Sequence, residues 1–162
     1  DVELDYSHYE ALPEWRPCES HLVEDKEYDL WSFYYRDVLH TNSFTMENPL
    51  LDEAYQMTPY TYNISINTEM ARKKGIKDGD LIWVESSYGR KVKGKSNLTE
   101  GIHPEALGIA GCAGHWSNNQ PIAKGKGVFY NDLIEIDYEH MDPTNMNMDL
   151  CAKVKIYKAE IT

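Results

Sequence analysis

Residues 63–95 read NISINTEMARKKGIKDGDLIWVESSYGRKVKGK, and consecutive signals within this stretch decide the fold. Ile64 and Ile66 alternate with polar neighbours, as on a strand with one buried face. Asn67 then stands where a helix would begin, since its side-chain carbonyl can accept a backbone N–H that the first helical turn leaves open. Arg72, Lys73 and Lys74 gather just before Gly75. Positive charge is favoured at the carbonyl end of a helix, and glycine readily adopts the left-handed conformation that ends one. Asp78-Gly79-Asp80 reads as a turn, Leu81 to Glu85 as a strand, Tyr88-Gly89 as a hairpin turn and Lys91 to Lys95 as its antiparallel return. The order is strand, helix, hairpin.

Outward from this centre the pattern stays mainly β. The aromatic-rich run Tyr28 to Tyr35 predicts a first, buried strand, because Trp31, Phe33 and Tyr34 pack well on a pleat. After the polar segment Arg36 to Asn48, Pro49 suits the first position of a short helix through Tyr55. Pro104 marks a turn before a strand over Leu107 to Ala110, and Cys151 to Tyr157 predicts a last strand in which Cys151, Val154 and Ile156 alternate with lysines. Between them, Gly111 to Leu150 is a long irregular stretch with Asn118, Asn119, Asn131, Asn145 and Asn147; ordered loops of that length are usually functional or packed on a partner. Residues 1–27 carry nine acids, Arg16 and Lys26, with Pro13 and Pro17 and no clear periodicity. They are expected to form an extended acidic arm, leaving 28–162 as the barrel domain.

The 162 residues, 41% apolar and 27% charged, suffice for one domain with its own core. Apolar runs such as Leu81 to Val84 are far below the roughly 20 residues of a membrane helix, so no direct membrane insertion is expected. The chain opens on Asp1-Val2-Glu3 without methionine or leader pattern and is expected to be trimmed, or cut from a longer polypeptide. The formal charge of −11 resides entirely in the first 55 residues, whereas Arg72 to Lys95 holds eight bases against Asp78, Asp80 and Glu85. The total disfavours nucleic acid but leaves room for a small anionic ligand. Three scattered cysteines make no disulfide framework and include no C-x-x-C pair, so bacterial or archaeal cytoplasm and periplasm both stay open.

Four constellations carry chemical meaning. Arg36, His40, Thr41, Asn42 and Ser43 follow a strand directly and offer donors and acceptors at its end, though a solvated loop has the same composition. In Gly111-Cys112-Ala113-Gly114-His115-Trp116-Ser117-Asn118-Asn119 the glycines permit close ligand approach, Trp116 offers a stacking face, and the asparagines can read a purine or pterin edge. A Cys112–His115 nucleophilic couple lacks a nearby orienting carboxylate, and a buried structural cysteine is the simpler reading. Lys124-Gly125-Lys126-Gly127 is a basic glycine loop without Walker spacing, as compatible with a surface loop as with a pyrophosphate cradle. Cys18/His21 and Cys112/His115 have zinc-ligand chemistry but stand too far apart in sequence for the usual paired knuckles.

Three stretches resemble a known family: Arg36-x-x-x-His40-Thr41-Asn42-Ser43 with Asn48; Ile66-Asn67 through Ala71, Gly75-Ile76, Asp78-Gly79-Asp80, Ile82, Val84 and Ser86 to Gly89; and Pro104 to Gly111 followed by Lys124 to Asn131. From Tyr28 onward the chain is similar to the carboxy-terminal molybdopterin-dinucleotide-binding domain of the dimethyl sulfoxide reductase family. The arm Leu12-Pro13-Glu14-Trp15 resembles the lead-in of the polysulfide and thiosulfate reductase subgroup. The resemblance implies a six-stranded double-psi β-barrel with short peripheral helices. It also implies a molybdopterin guanine dinucleotide cofactor in the bis form, with molybdenum or tungsten held by other domains. Carried over, Arg36, His40, Thr41, Asn42 and Ser43 contact a dinucleotide, His115, Trp116 and Asn118 belong to the loop after the fifth strand, and Asn131 matches a pterin-side asparagine. Beside it, the Asp132 carboxylate is of the type that pairs with a guanine or pterin edge. Expected partners are the remaining domains of a catalytic subunit, together with an iron–sulfur electron-transfer subunit. No cysteine series for a cluster occurs here, so the chain alone is expected to be inactive. Two other barrels compete. A self-processing decarboxylase barrel requires a Gly-Ser bond that the sequence lacks, and a stand-alone protein-interaction barrel would use the acidic arm.

Overall fold

A computed structural model describes residues 6–160 except His8, Pro13 and Pro143. Six strands, β1 (Leu30–Tyr35), β2 (Ile64–Asn67), β3 (Leu81–Ser86), β4 (Lys91–Thr99), β5 (Ala106–Ala110) and β6 (Cys151–Lys158), close into a barrel in the order β1-β5-β2-β4-β3-β6. Two neighbouring pairs, β1/β5 and β2/β4, run parallel, and the other four are antiparallel. This is the double-psi arrangement. Each parallel pair brings two strand ends, and the loops leaving them, to the same end of the barrel. Among the described residues no helix is long and apolar enough to cross a membrane.

The decisive stretch folds as its signals require. Asn67 caps α2 (Thr68–Lys73), its Oδ1 accepting from the N–H groups of Glu69 at 2.9 Å and Met70 at 3.4 Å. Glu69 sits in the first turn, Arg72 and Lys73 in the last, and Gly75 leaves the helix at φ +68°. Asn48 likewise caps α1 (Pro49–Gln56), with Pro49 at the start where its missing N–H costs nothing. Leu30, Ile64, Ile66, Ile82, Val84, Leu107 and Val154 have no exposed surface and fill the barrel. Truncating any of these large side chains to alanine should cost about 2–5 kcal/mol.

Three details depart from the sequence reading. The return strand does not stop at Lys95: it runs to Thr99, pairing antiparallel with β3 over Lys91–Lys95 and parallel with β2 over Ser96–Thr99. At the crossover sits Gly94, where a Cβ would lie 2.5 Å from Val128 Cγ2 and 2.8 Å from Ile64 Cδ1. In β6 the inward residues are Ala152, Val154 and Ile156; Cys151 has the opposite parity and shares the outward face with Lys153 and Lys155. In β1 the fully buried residues are Leu30 and Ser32, not the aromatics, and Phe33 and Tyr34 remain over a third exposed. Burial follows the pleat: Trp31, Phe33 and Tyr35 take the outward parity, while Tyr34 shares the parity of Leu30 and Ser32 and meets the core residue Tyr130 with ring centroids 5.7 Å apart. Residues Glu19–Leu22 form a 3-10 turn in which Ser20 is fully buried and bonds to the Asp149 carboxylate.

Candidate functional site

β1 and β5 are in parallel register from Trp31↔Ala106 to Tyr35↔Ala110, and Gly111 N donates to Tyr35 O at 3.0 Å. The loops that follow, Arg36 to Asn48 and Gly111 to Asn119, therefore leave the barrel side by side. Arg36, His40 and Asn42 line one narrow cleft with Tyr34, Tyr35, Asp37, Gly111 and Cys112. Its volume of about 20 Å³ is room for about one water molecule. The backbone bends sharply here, with Asn42 at φ 50°, a conformation asparagine tolerates better than most residues. Thr41 and Ser43 are exposed on the same turn, which closes through Phe44 N to Thr41 O at 3.1 Å.

His40 is the buried member of the cluster. Its ring stacks on Tyr55 with centroids 4.3 Å apart, and Nδ1 lies 2.8 Å from Thr45 Oγ1. Nε2 is buried with no hydrogen-bond partner among the described residues. Burial lowers the pKa of His40, against the opposite pull of Asp37 and Asp52, and favours a neutral imidazole. Tyr55, whose hydroxyl accepts from Leu39 N at 2.6 Å, is pushed up to about 12 by burial and stays protonated. Burial likewise pushes the Cys112 thiol up to about 11, the behaviour of a packed cysteine and not of a thiolate nucleophile.

On the second loop, His115 also has a buried Nε2 without a partner, while its carbonyl accepts from Gly125 N at 2.8 Å. Trp116 is 72% exposed and meets Phe129 edge-on at 5.3 Å, so its outer face is open. Asn118 is exposed, and its Oδ1 accepts from Lys124 Nζ. Asn131 and Asp132 are exposed on a 3-10 turn, Tyr130–Asp132, with the Asp132 charge felt by Arg90 in the β3–β4 hairpin. That hairpin closes the same end of the barrel, since β3 runs parallel in direction to β1 through their shared neighbour β6. The sequence-derived candidates thus share one barrel end; Arg36, His40 and Asn42 line one cleft, while Thr41, Ser43, His115, Trp116, Asn118, Asn131 and Asp132 lie outside it.

Residues that the sequence reading passed over tie the two loops together. Both oxygens of Glu47 accept backbone N–H groups of the second loop, from Ile122 and Ala123, each at 3.0 Å. Asp52 on α1 is 8% exposed and receives Lys126 Nζ at 2.5 Å, Tyr62 Oη at 2.7 Å and Gln56 Nε2 at 2.9 Å. Burial alone would raise its pKa, but the three hydrogen bonds hold it below the usual carboxylate range. Lys126 is therefore a structural strut of the basic glycine loop, not a free phosphate donor. Gly114 N donates to Lys126 O at 2.8 Å, and at φ +88° a Cβ on Gly114 would stand 2.2 Å from Phe129 N. No group of three or more His, Cys, Asp or Glu residues able to hold a metal occurs among the described residues.

Known proteins resemble this chain in sequence and in fold. The thiosulfate reductase molybdopterin-containing subunit of Salmonella typhimurium is 32% identical over 109 residues, covering 67% of this chain and 14% of that protein. The arsenate respiratory reductase molybdopterin-containing subunit of Chrysiogenes arsenatis is 29% identical over 102 residues, 59% of this chain and 12% of its own length. A sulfite dehydrogenase subunit from Allochromatium vinosum is 26% identical over 171 residues, 95% of this chain and 17% of that one. The chain spans less than a fifth of each relative. Acetylene hydratase from Pelobacter acetylenicus superposes with a TM-score of 0.66 over 83% of this chain and 19% of that one; at 18% identity the likeness is one of fold. Residues 30–149 match the molydopterin dinucleotide binding domain family, and the chain belongs to that family, whose cofactor is a molybdopterin dinucleotide.

Proposed function

We propose that the dinucleotide is held at the β1/β5 end, by Arg36, His40, Thr41, Asn42 and Ser43 on one side and by His115, Trp116, Asn118, Asn131 and Asp132 on the other. The observation that carries this reading is the pair of buried imidazole nitrogens, His40 Nε2 and His115 Nε2, left without partners on adjacent loops. A buried polar atom without a partner costs about 1–3 kcal/mol, and a bound ligand that pairs with it removes that cost.

The donor set fits the group. Arg36 and the hydroxyls of Thr41 and Ser43 suit a dianionic pyrophosphate, which takes directional, charge-assisted hydrogen bonds. Thr45 Oγ1 already accepts from Thr41 N at 3.1 Å. If it gives its own proton to His40 Nδ1, the imidazole carries its proton on Nε2 and faces the ligand as a neutral donor. Trp116 supplies a stacking face, and Asn42, Asn118, Asn131 and Asp132 supply the complementary edges that a guanine or pterin requires. The bound cofactor supplies two-electron redox chemistry at its metal; the residues of this chain bind it, orient it and keep water from its phosphates.

The whole protein, in this proposal, is a molybdenum or tungsten oxidoreductase catalytic subunit. This chain is its carboxy-terminal domain, following an acidic arm at 1–27. The cofactor is the bis form of the guanine dinucleotide, the metal is bound by other domains, and electrons pass to or from an iron–sulfur subunit. Mass spectrometry of nucleotides released from the full-length protein should find guanine nucleotide at two per molecule, and His115→Phe, which keeps the ring volume but removes the nitrogen, should lower that occupancy at least threefold. Cytosine nucleotide, or full occupancy in the variant, would contradict the assignment.

A further inference from the structure

The outward face of four adjacent strands, β4-β3-β6-β1, concentrates positive charge in a chain whose formal charge is −11. Register places Trp83 between Lys93 and Tyr157, Glu85 between Lys91 and Lys155, Leu81 opposite Lys95, and Trp31 opposite Lys153. The ammonium groups of Lys91 and Lys93 lie over the Trp83 ring at 5.6 and 5.2 Å, and that of Lys153 lies 4.0 Å from the centroid of Trp31. Neighbouring carboxylates are already engaged: Glu85 accepts from Tyr157 Oη at 2.8 Å and faces Lys155 at 3.6 Å, Glu27 takes Lys155 at 2.8 Å, and Asp80 takes Lys158 at 2.7 Å. Lys91, Lys93, Lys95 and Lys153 therefore have no carboxylate within ion-pair distance among the described residues.

We infer that this lysine–tryptophan face docks a short acidic segment of a protein, rich in aspartate or glutamate. Its shape and charge select that occupant. Four strands spaced about 4.8 Å apart span ~15 Å. His21, edge-on to Trp31 at 5.1 Å, bounds the face on the β1 side and leaves ~10 Å over β4, β3 and β6, which about three extended residues at ~3.3 Å each would cross. A nucleic-acid duplex or an anionic bilayer carries its charge well past that width and would meet the acidic remainder of the chain, whose repulsion reaches ~8 Å at physiological salt. Lysines held over indole rings are partly ordered before binding, and the rings leave apolar surface between the charges. The face spans the side of the barrel, apart from the loops that hold the dinucleotide, and the inference does not depend on which residues contact the cofactor.

Fluorescence anisotropy of a labelled hexaglutamate peptide with the cofactor-loaded full-length protein tests this. Binding should fall with added salt. K91E/K93E/K153E should weaken it at least tenfold, and R72E/K73E/K77E, an equal charge change on and after α2, should alter it less than twofold. Should the first variant fail to fold, K91Q/K93Q/K153Q should still weaken binding at least threefold. Absence of peptide binding, equal loss in the two charge-reversed proteins, or persistence of binding in the lysine variants would overturn the inference. So would tighter binding to a 20-base-pair duplex or to phosphatidylserine vesicles through the same lysines.

Discussion

The two ends of the barrel are built alike and finished differently. Each receives a pair of parallel strands, β1/β5 at one end and β2/β4 at the other, with a loop or helix leaving each strand. At the β2/β4 end the polar groups are engaged within the chain. Asn67 caps α2 with its oxygen and gives its nitrogen to Ile102 O at 2.8 Å, Asp78 accepts from Leu98 N at 2.8 Å, and Ser96 Oγ donates to Lys77 O at 2.7 Å. At the β1/β5 end His40 and His115 each keep a buried nitrogen unpaired, and Arg36, Asn42 and Asn131 extend into solvent. The same topology thus gives a closed scaffold at one end and an unfinished hydrogen-bond set at the other, and it is at the unfinished end that we propose the dinucleotide lowers the free energy.

The severest way to break this contrast is Gly114→Ala. It forces a side chain into left-handed backbone and against Phe129 N, separating the second loop from its partner. We expect a loss of at least about 3 kcal/mol at the ligand end, read as a lower Tm together with loss of cofactor. A Tm within a degree of the parent would show that the loops do not need this close approach. Asn131→Ala should act on binding alone. Removing an amide that pairs with the ligand weakens binding by about 1–3 kcal/mol, so cofactor per folded molecule falls while urea-unfolding stability barely changes. Loss of stability with occupancy intact would make Asn131 a turn residue only.

Asn67→Ala is the mirror experiment at the closed end. It should cost about 1 kcal/mol of stability through the lost cap and leave cofactor occupancy per folded molecule unchanged. Lower occupancy at equal stability would mean that the β2/β4 end also touches the ligand. The mildest perturbation is acid. The pKa of His40 is lowered by burial, so in the unfolded chain it takes up a proton at a higher pH than in the fold. Stability should therefore decline as pH falls below about 6.5, until the folded protein protonates as well. Comparing Tm between pH 7 and pH 5 in parent and His40→Gln should show the steeper decline in the parent; parallel curves would remove His40 from the account.

The sequence made the local elements legible and the distant contacts not. Asn67, Pro49 and Gly75 act within their own turn, so their chemistry marked both helices, whereas the Asn48 cap of α1 was not read from the sequence. The second half of β4 was hidden because Ser96-Asn97-Leu98-Thr99 has no apolar alternation, and its pairing with β2 lies more than thirty positions back in the chain. The parity of β6 was misjudged because Cys151 counts as apolar, whereas the small Ala152 takes the inward place. At the ligand end, the polar loops were visible as composition. The struts that hold them, Glu47 to Ile122 and Ala123 and Asp52 to Lys126, were not, because each joins residues more than seventy positions apart and an acid near a short helix resembles a solvated one.

The central claim, that one barrel end holds the dinucleotide and the other is scaffold, is tested most directly by amide hydrogen exchange on the full-length protein with and without its cofactor. The account predicts that cofactor slows exchange in residues 36–48 and 111–131 and leaves residues 67–80 and the 96–102 segment unchanged. Protection at residues 67–80 equal to or greater than that at 36–48 would contradict it.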